Sequence, residues 1–322
     1  MEIDSIITNL KKLYDIRVSP QDIKKAEGGF LSTNYIIENY EKLPHKKYFL
    51  KKYRFNKKDK IEEIHSIKKY FSEKDIPVIL PIPNKEGKTY FEWRAEEGKS
   101  FYALFPFVEG IHFSRDNFSN MVIASLAETL GKIHLAGKDY KGPASQAFKL
   151  KSPEDLQTEI QKYLDIIKSK TNKDPFDLLA EKTLSLKLEL LSGLGYSFED
   201  TGLTSDHLIH GDYHNKNVFF DSKGKVTAVF DFEKSGMGPR VFELWRSIDY
   251  SDRTKAEQYI RSYGKIYPIT EDELARGLRL YYLKLISSLW IEKAHYVDGN
   301  FRTDSFLETQ YSSLKYFGQI VK

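Results

Sequence analysis

The segment His210-Gly211-Asp212-Tyr213-His214-Asn215-Lys216-Asn217, continued by Val218-Phe219-Phe220-Asp221, combines residue types that chemistry uses more than packing does. A second piece, Val229-Phe230-Asp231-Phe232-Glu233, places Asp231 fourteen residues after Asn217. Apolar Leu208-Ile209 leads into the first piece, and a strand-like run with a Ser222-Lys223-Gly224 turn separates the two. This order has the form of a catalytic loop, with Asp212 to receive or orient a hydroxyl proton and Asn217 and Asp231 to hold a divalent metal. Phosphoryl transfer needs those parts, because its transition state is stabilised mainly by positioning and charge neutralisation. Two plainer readings compete. His210 and His214 at i, i+4 could ligate a metal, but that spacing suits a helix, whereas Gly211, Asn215 and Asn217 favour a loop. Turn formation by Asp or Asn accounts for one of these residues and not for the ordered set of three at strand ends.

Around this centre the chain supplies positioning elements. Ile3, Ile6, Ile7, Leu10 and Leu13 have helical spacing. Residues 26–37 read as a strand edge, a tight turn and a second strand, and the adjacent Gly28 and Gly29 let backbone N–H groups approach a phosphate closely. A bare hairpin turn is the alternative, and no Gly-Lys-Ser/Thr follows to make a Walker A loop. The strand Tyr48–Tyr53 lies in a basic run over residues 42–60. Period-two alternation puts Lys51 with Phe49 and Tyr53, and Lys52 with Leu50, so one of the two lysines faces a cleft. A lysine there is a point charge for phosphate oxygens if a carboxylate holds it, and a helix over about 58–74 offers Glu62 and Glu63. Strand-like runs follow at 88–93 and 101–107.

Pro106-Phe107-Val108-Glu109-Gly110 marks the boundary between a strand-rich lobe, residues 1–107, and a helix-rich remainder, residues 108–322. Helical periodicity dominates the second part at about 117–136, 153–170, 175–193, 254–264, 271–295 and 303–319. His134 reads as a packed histidine. The aromatics of the last seventy residues read as core, with a cation-binding aromatic pocket as the alternative.

Composition excludes several classes. Among 322 residues there is no cysteine, hence no disulfide framework, zinc-thiolate site or thiol nucleophile. Fifty basic against 46 acidic residues give a net charge of +4, too balanced to imply a nucleic-acid partner. No apolar run reaches the length of a membrane span and the first residues lack a signal-peptide pattern, so a cytoplasmic protein is expected, with no membrane partner. Oligomeric state is not legible.

His210-Gly211-Asp212-x-His214-x-x-Asn217-x-Phe219 resembles the signature of the aminoglycoside phosphotransferase and choline kinase superfamily, small-molecule kinases with a protein-kinase-like fold. The resemblance extends over nearly the whole chain. Residues 28–35 resemble the nucleotide loop, Phe49-Leu50-Lys51 the strand with the phosphate lysine, residues 105–110 the hinge, Leu130-Gly131-x-x-His134 a family helix, and Phe230-Asp231-Phe232-Glu233 the metal-binding strand end. It implies a two-lobed α+β fold: a small antiparallel-sheet N-lobe with one braced helix, and a mostly helical C-lobe. It implies ATP and Mg²⁺ as cofactors and a small-molecule hydroxyl as acceptor: an amino alcohol, sugar, aminoglycoside or homoserine-like compound. Asp212 would be the catalytic base; Asn217 and Asp231 would hold Mg²⁺; Gly28, Gly29 and Ser32 would cover the phosphates. Lys51 would contact them, braced by Glu63 or alternatively Glu62, and adenine would lie against Phe107, Val108 and Gly110. The acceptor is expected near Asp212, Trp245 and Trp290. Three departures stand out: Ser32 where Asn is frequent, Gly211 where choline kinases carry Asn, and Glu243 where an Asp is expected. A Ser/Thr protein kinase of the same superfamily and a non-catalytic ATP-binding regulator are the alternatives.

Overall fold

The computed structural model describes residues 2–26, 33–40, 46–95, 98–114, 117–147, 149–193 and 201–321. The chain divides into two compact units, neither of them one continuous stretch. The first comprises residues 1–125, 141–144 and 215–233, and the second residues 126–140, 145–214 and 234–322. The first unit therefore runs past residue 107 and takes back the segment that carries Asn217 and Asp231.

In the first unit five strands form an antiparallel sheet in the order β1-β2-β3-β5-β4: β1 Ile23–Lys25, β2 Asn34–Asn39, β3 Lys46–Lys52, β4 Phe91–Ala95 and β5 Gly98–Pro106. Side chains alternate across a strand, and β5 shows both faces. Tyr102 and Leu104 join Ile37, Leu50 and the helix α1 (Glu2–Asn9) with its π-helical extension Leu10–Tyr14 in one core cluster. Phe101, Ala103 and Phe105 join Tyr53 and Ile61 of helix α2 (Lys58–Ser72) in the other. The same alternation in β3 separates the two lysines. Lys52 turns to the α1 face, where it pairs with Glu2 at 2.9 Å, and Lys51 takes the α2 face.

The second unit is mostly helical. It holds most of α3 (Asn120–Gly137), then α4 (Pro153–Ser169) and α5 (Pro175–Gly193). Between these and the later helices the chain forms β6 (His207–Ile209), the hairpin β7 (Val218–Phe220) and β8 (Val226–Val229), which belongs to the first unit, and β9 (Gly236–Gly238). Strand β6 pairs with β9. Then come α6 (Arg240–Tyr250), α7 (Ala256–Ile266), α8 (Glu271–Ser287), α9 (Trp290–Tyr296) and α10 (Phe306–Ile320). The helix expected over 271–295 is thus two helices. The break at Ser288 frees a carbonyl, and buried Lys187 donates to it at 2.6 Å while Gln310 donates at 3.2 Å. A helix end placed inside a core needs such partners.

Candidate active site

In the first unit, the hairpin β7–β8 carries the two residues expected to hold a metal. Its turn is closed by the Asp221 carboxylate, which accepts from the N–H groups of Lys223 and Lys225, while Gly224 takes φ +83°. Register pairs Val218 with Val229, and Phe230 N–H donates to the Asn217 carbonyl at 3.0 Å. Asn217, in a 3-10 turn, and Asp231 therefore stand side by side at the open end of the hairpin. Asp231 adopts φ +64°, a left-handed conformation uncommon for a residue other than glycine. Strain of this kind persists where the surrounding structure fixes it, and here an ion pair does so. Lys51 Nζ lies 2.7 Å from Asp231 Oδ1 and 2.8 Å from Glu233 Oε1, and Glu233 also holds Arg54 at 2.8 Å. Burial disfavours the Lys51 ammonium, but Asp231 and Glu233 outweigh it and its pKa is raised.

Glu63 does not brace Lys51. It pairs with Lys60 at 2.8 Å, and Glu62 receives Tyr90 Oη at 2.9 Å. Helix α2 instead presents Lys68, with its ammonium 4.2 Å from the Phe105 ring centre and 6.0 Å from that of Phe232. Burial, then Lys51, lowers the Lys68 pKa to about 7. In the segment expected as the hinge, Phe107 N–H donates to the Lys47 carbonyl at 3.3 Å, Val108 is half-buried, and Gly110 packs so close to Phe219 that a Cβ would lie 2.4 Å from the Phe219 Cβ. Phe219 in turn stacks near Phe230 and His112, at 5.0 and 4.6 Å between ring centres. Gly28, Gly29 and Ser32 lie outside the described residues.

In the second unit, the turn after β6 carries Asp212. Gly211 has φ +80°, and a Cβ there would sit 2.1 Å from the Lys234 carbonyl, so the sequence needs glycine at this point. Helix α6 grips the turn with side chains at i, i+3 and i+7, one face of a helix. Glu243 accepts from the N–H groups of His210 at 2.9 Å and Tyr213 at 3.2 Å, Arg246 donates to Asp212, and Tyr250 stacks on His214 at 5.0 Å. Glu243, standing where an Asp is expected, thus holds the turn through two backbone hydrogen bonds. It also pairs with His134 Nε2 at 3.1 Å, and His134 Nδ1 accepts from Tyr263 Oη at 2.9 Å. His134 is fully buried and, as expected, a packing histidine; burial lowers its pKa despite Glu243.

Asp212 is held by Arg246 and by Lys234 Nζ at 2.9 Å, with His214 Nε2 3.7 Å away. Burial alone would raise its carboxyl; Arg246 first, then Lys234, overcome this and keep it well below the usual carboxylate range. Burial lowers His214 to about 3, against the attraction of Asp212. His210 Nδ1 accepts from Asp212 N–H at 3.2 Å, a scaffolding bond. Trp245 is buried against Phe317 and donates to the Leu274 carbonyl, and Trp290 stands exposed beside Phe306. The sequence reading missed Arg246 and Lys234. An arginine one turn after Glu243 on the α6 face was the available signal.

Among the described residues no helix is long and apolar enough to cross a membrane. Residues 22–276 match the sequence profile of the phosphotransferase enzyme family. An uncharacterized protein of Synechocystis sp. is 24% identical over 206 residues, which cover 62% of this chain and 54% of that protein, little more than half its length. A homoserine kinase of Polaromonas naphthalenivorans is 23% identical over 263 residues, covering 79% of this chain and 75% of that enzyme. Among solved structures, a spectinomycin phosphotransferase in complex with ADP and spectinomycin superposes with a TM-score of 0.67 at 16% identity, over 99% of this chain and 94% of that one. The fold is the α+β fold of protein-kinase-like phosphotransferases. The profile spans most of the sequence, from just before β1 into α8, and the chain belongs to the phosphotransferase enzyme family.

Proposed function

We propose that the protein transfers the γ-phosphoryl group of ATP, with Mg²⁺, to a hydroxyl of a small molecule. The observation that carries this reading is the placement of Lys51, Asn217 and Asp231 in one compact unit, with Asp212 five residues before Asn217 in sequence and held as a carboxylate. The donor set fits a hard divalent cation, which prefers oxygen ligands: an amide oxygen of Asn217 and a carboxylate of Asp231 at the same end of one hairpin. Those two residues would hold Mg²⁺, which when bound neutralises charge on the phosphate oxygens.

In this reading Lys51 leaves its resting partner Asp231 for the α- and β-phosphates and keeps Glu233, which takes the bracing role expected of Glu63. Gly28, Gly29 and Ser32 lend backbone donors to the phosphates. Phe107, Val108 and Gly110 border the adenine, with Phe219 and Phe230 as apolar walls. Asp212 orients the acceptor hydroxyl and receives its proton as the phosphoryl group is transferred. The small-molecule acceptor is supported by the names of the relatives, which include kinases of homoserine and spectinomycin.

The test is ADP release by wild type and Asp212→Ala, with Mg-ATP, across amino alcohols, sugars, aminoglycosides, hydroxy acids and generic protein substrates. Stimulation of the wild type alone by a small hydroxyl compound supports the reading. Equal turnover by Asp212→Ala, or stimulation by proteins only, refutes it.

A further inference from the structure

The side chains that converge on Asp212 are unusual in sign. Arg246 and Lys234 both pair with this one carboxylate, and neither makes an ion pair with another described acid. The Arg246 guanidinium lies over the Tyr250 ring at 4.7 Å, and its buried Nε has no hydrogen-bond partner. From α8, Lys284 donates to the Lys149 carbonyl at 3.4 Å. Burial first, then Arg246, Lys151 and Lys234, bring the Lys284 pKa down to about 8, so these cations feel one another. The other acids of α6 are committed elsewhere. Asp249 pairs with Arg253 at 2.6 Å and accepts from Tyr281 and Ser313, and Glu243 serves the backbone of the turn. Lys151 is matched by Glu159.

We propose that the phosphoryl acceptor carries an anionic group, a carboxylate or a phosphate, beside the hydroxyl that is phosphorylated, and that Arg246, Lys234 and Lys284 receive it. The inference rests on Asp212 as the residue that meets the acceptor. An anion entering here relieves the repulsion among the three cations and offers the Arg246 Nε an acceptor. A planar guanidinium suits carboxylate and phosphate alike. A quaternary ammonium or an aminoglycoside meets the opposite field, and like charges brought together at an interface oppose binding. Charge-assisted contacts from Arg246 to the acceptor also loosen its grip on Asp212, freeing that carboxylate for the hydroxyl.

The experiment has two readouts. Turnover with Mg-ATP is compared across choline and 1-amino-2-propanol, across glycerol as the uncharged member, and across glycerate and glycerol 3-phosphate. The last two separate carboxylate from phosphate recognition. In parallel, calorimetry measures binding of the same compounds to wild type, Asp212→Asn and Lys284→Gln. At least one anionic compound is expected to exceed glycerol in kcat/KM by about tenfold or more, with no transfer to the cationic compounds. Lys284→Gln is expected to raise KM for that anionic compound about tenfold while lowering kcat less than threefold. Preference for choline or glycerol overturns the proposal, as does an unchanged KM in Lys284→Gln, or the absence of both binding and turnover for the anionic compounds. If anions bind and lose affinity in Lys284→Gln while Asp212→Asn still turns over, the charge preference stands and the catalytic reading of Asp212 fails.

Discussion

At Asp212 burial and charge act in opposite directions, and charge wins. Loss of solvent raises a carboxyl pKa, but Arg246 and Lys234 keep this one below the ordinary range. The folded pKa is depressed, so the ion-pair contribution to stability is present above the unfolded value near pH 4 and is lost as pH falls through the lower folded value. Asp212 is therefore ionised at every pH at which an ATP-dependent enzyme is assayed, and the acid limb of a pH–rate profile reports some other group. Asp212→Asn is expected to lower kcat by about 10³-fold or more while the KM for ATP changes less than about threefold, measured by steady-state ADP release. Lys51→Met tests the proposed nucleotide role instead. It leaves Asp231 and Glu233 without their shared cation and removes the phosphate contact proposed for Lys51, and is expected to weaken nucleotide binding about 10- to 100-fold by calorimetry, a loss of about 1.4–2.8 kcal/mol. Unchanged affinity would assign Lys51 a purely structural role.

One face of α6 fixes the turn after β6: Glu243 takes two backbone N–H groups, Arg246 takes Asp212, and Tyr250 backs His214. Glu243→Ala leaves the His210 and Tyr213 N–H groups and the His134 ring without an acceptor in a buried place, which costs about 3–5 kcal/mol by the usual toll of breaking a buried charged network. Glu243→Gln keeps one oxygen and is expected to lose about 1–3 kcal/mol. Urea unfolding of the two variants checks the order; equal losses would mean the retained oxygen contributes nothing and the whole effect lies in the charge. Gly211 is decided by backbone geometry. Alanine there would combine the strain of φ +80° with a Cβ 2.1 Å from the Lys234 carbonyl, so Gly211→Ala is expected to impair turnover even where circular dichroism shows a folded protein.

Each compact unit buries a histidine in its neutral form, and the whole molecule inherits the consequence. His65, hydrogen-bonded to Tyr53 and Thr89, is lowered to about 3 by burial and then by Lys68 and Lys51, and His214 is lowered to about 3 as well. A folded pKa below the unfolded 6.5 means that the unfolded chain takes up the proton first. Stability is complete above about pH 6.5 and declines as pH falls toward 3. At pH 5 each histidine removes about 2 kcal/mol relative to pH 7. The urea midpoint should therefore drop steeply between pH 7 and 5, and His65→Gln should flatten that drop; an equal slope in the variant would refute the assignment.

Local order made much of the molecule legible in the sequence. The loop and hairpin that carry Asp212, Asn217 and Asp231 are contiguous, and period-two alternation in β3 already separates Lys51 from Lys52 without reference to the rest of the chain. Helical periodicity likewise located α2 and α3, and the family motifs pointed to the protein-kinase-like fold. What the sequence could not supply were partners joined across long separations. The acid at Lys51 is Asp231, 180 positions away, and not the glutamates of α2, because helical spacing tells which residues share a face and not what lies opposite it. Arg246 and Lys234 reach Asp212, and Lys187 caps the break at Ser288, only once the elements have packed. Periodicity and turn chemistry are short-range and can be read along the chain. Electrostatic pairing depends on distance through space, and only the tertiary structure decides that.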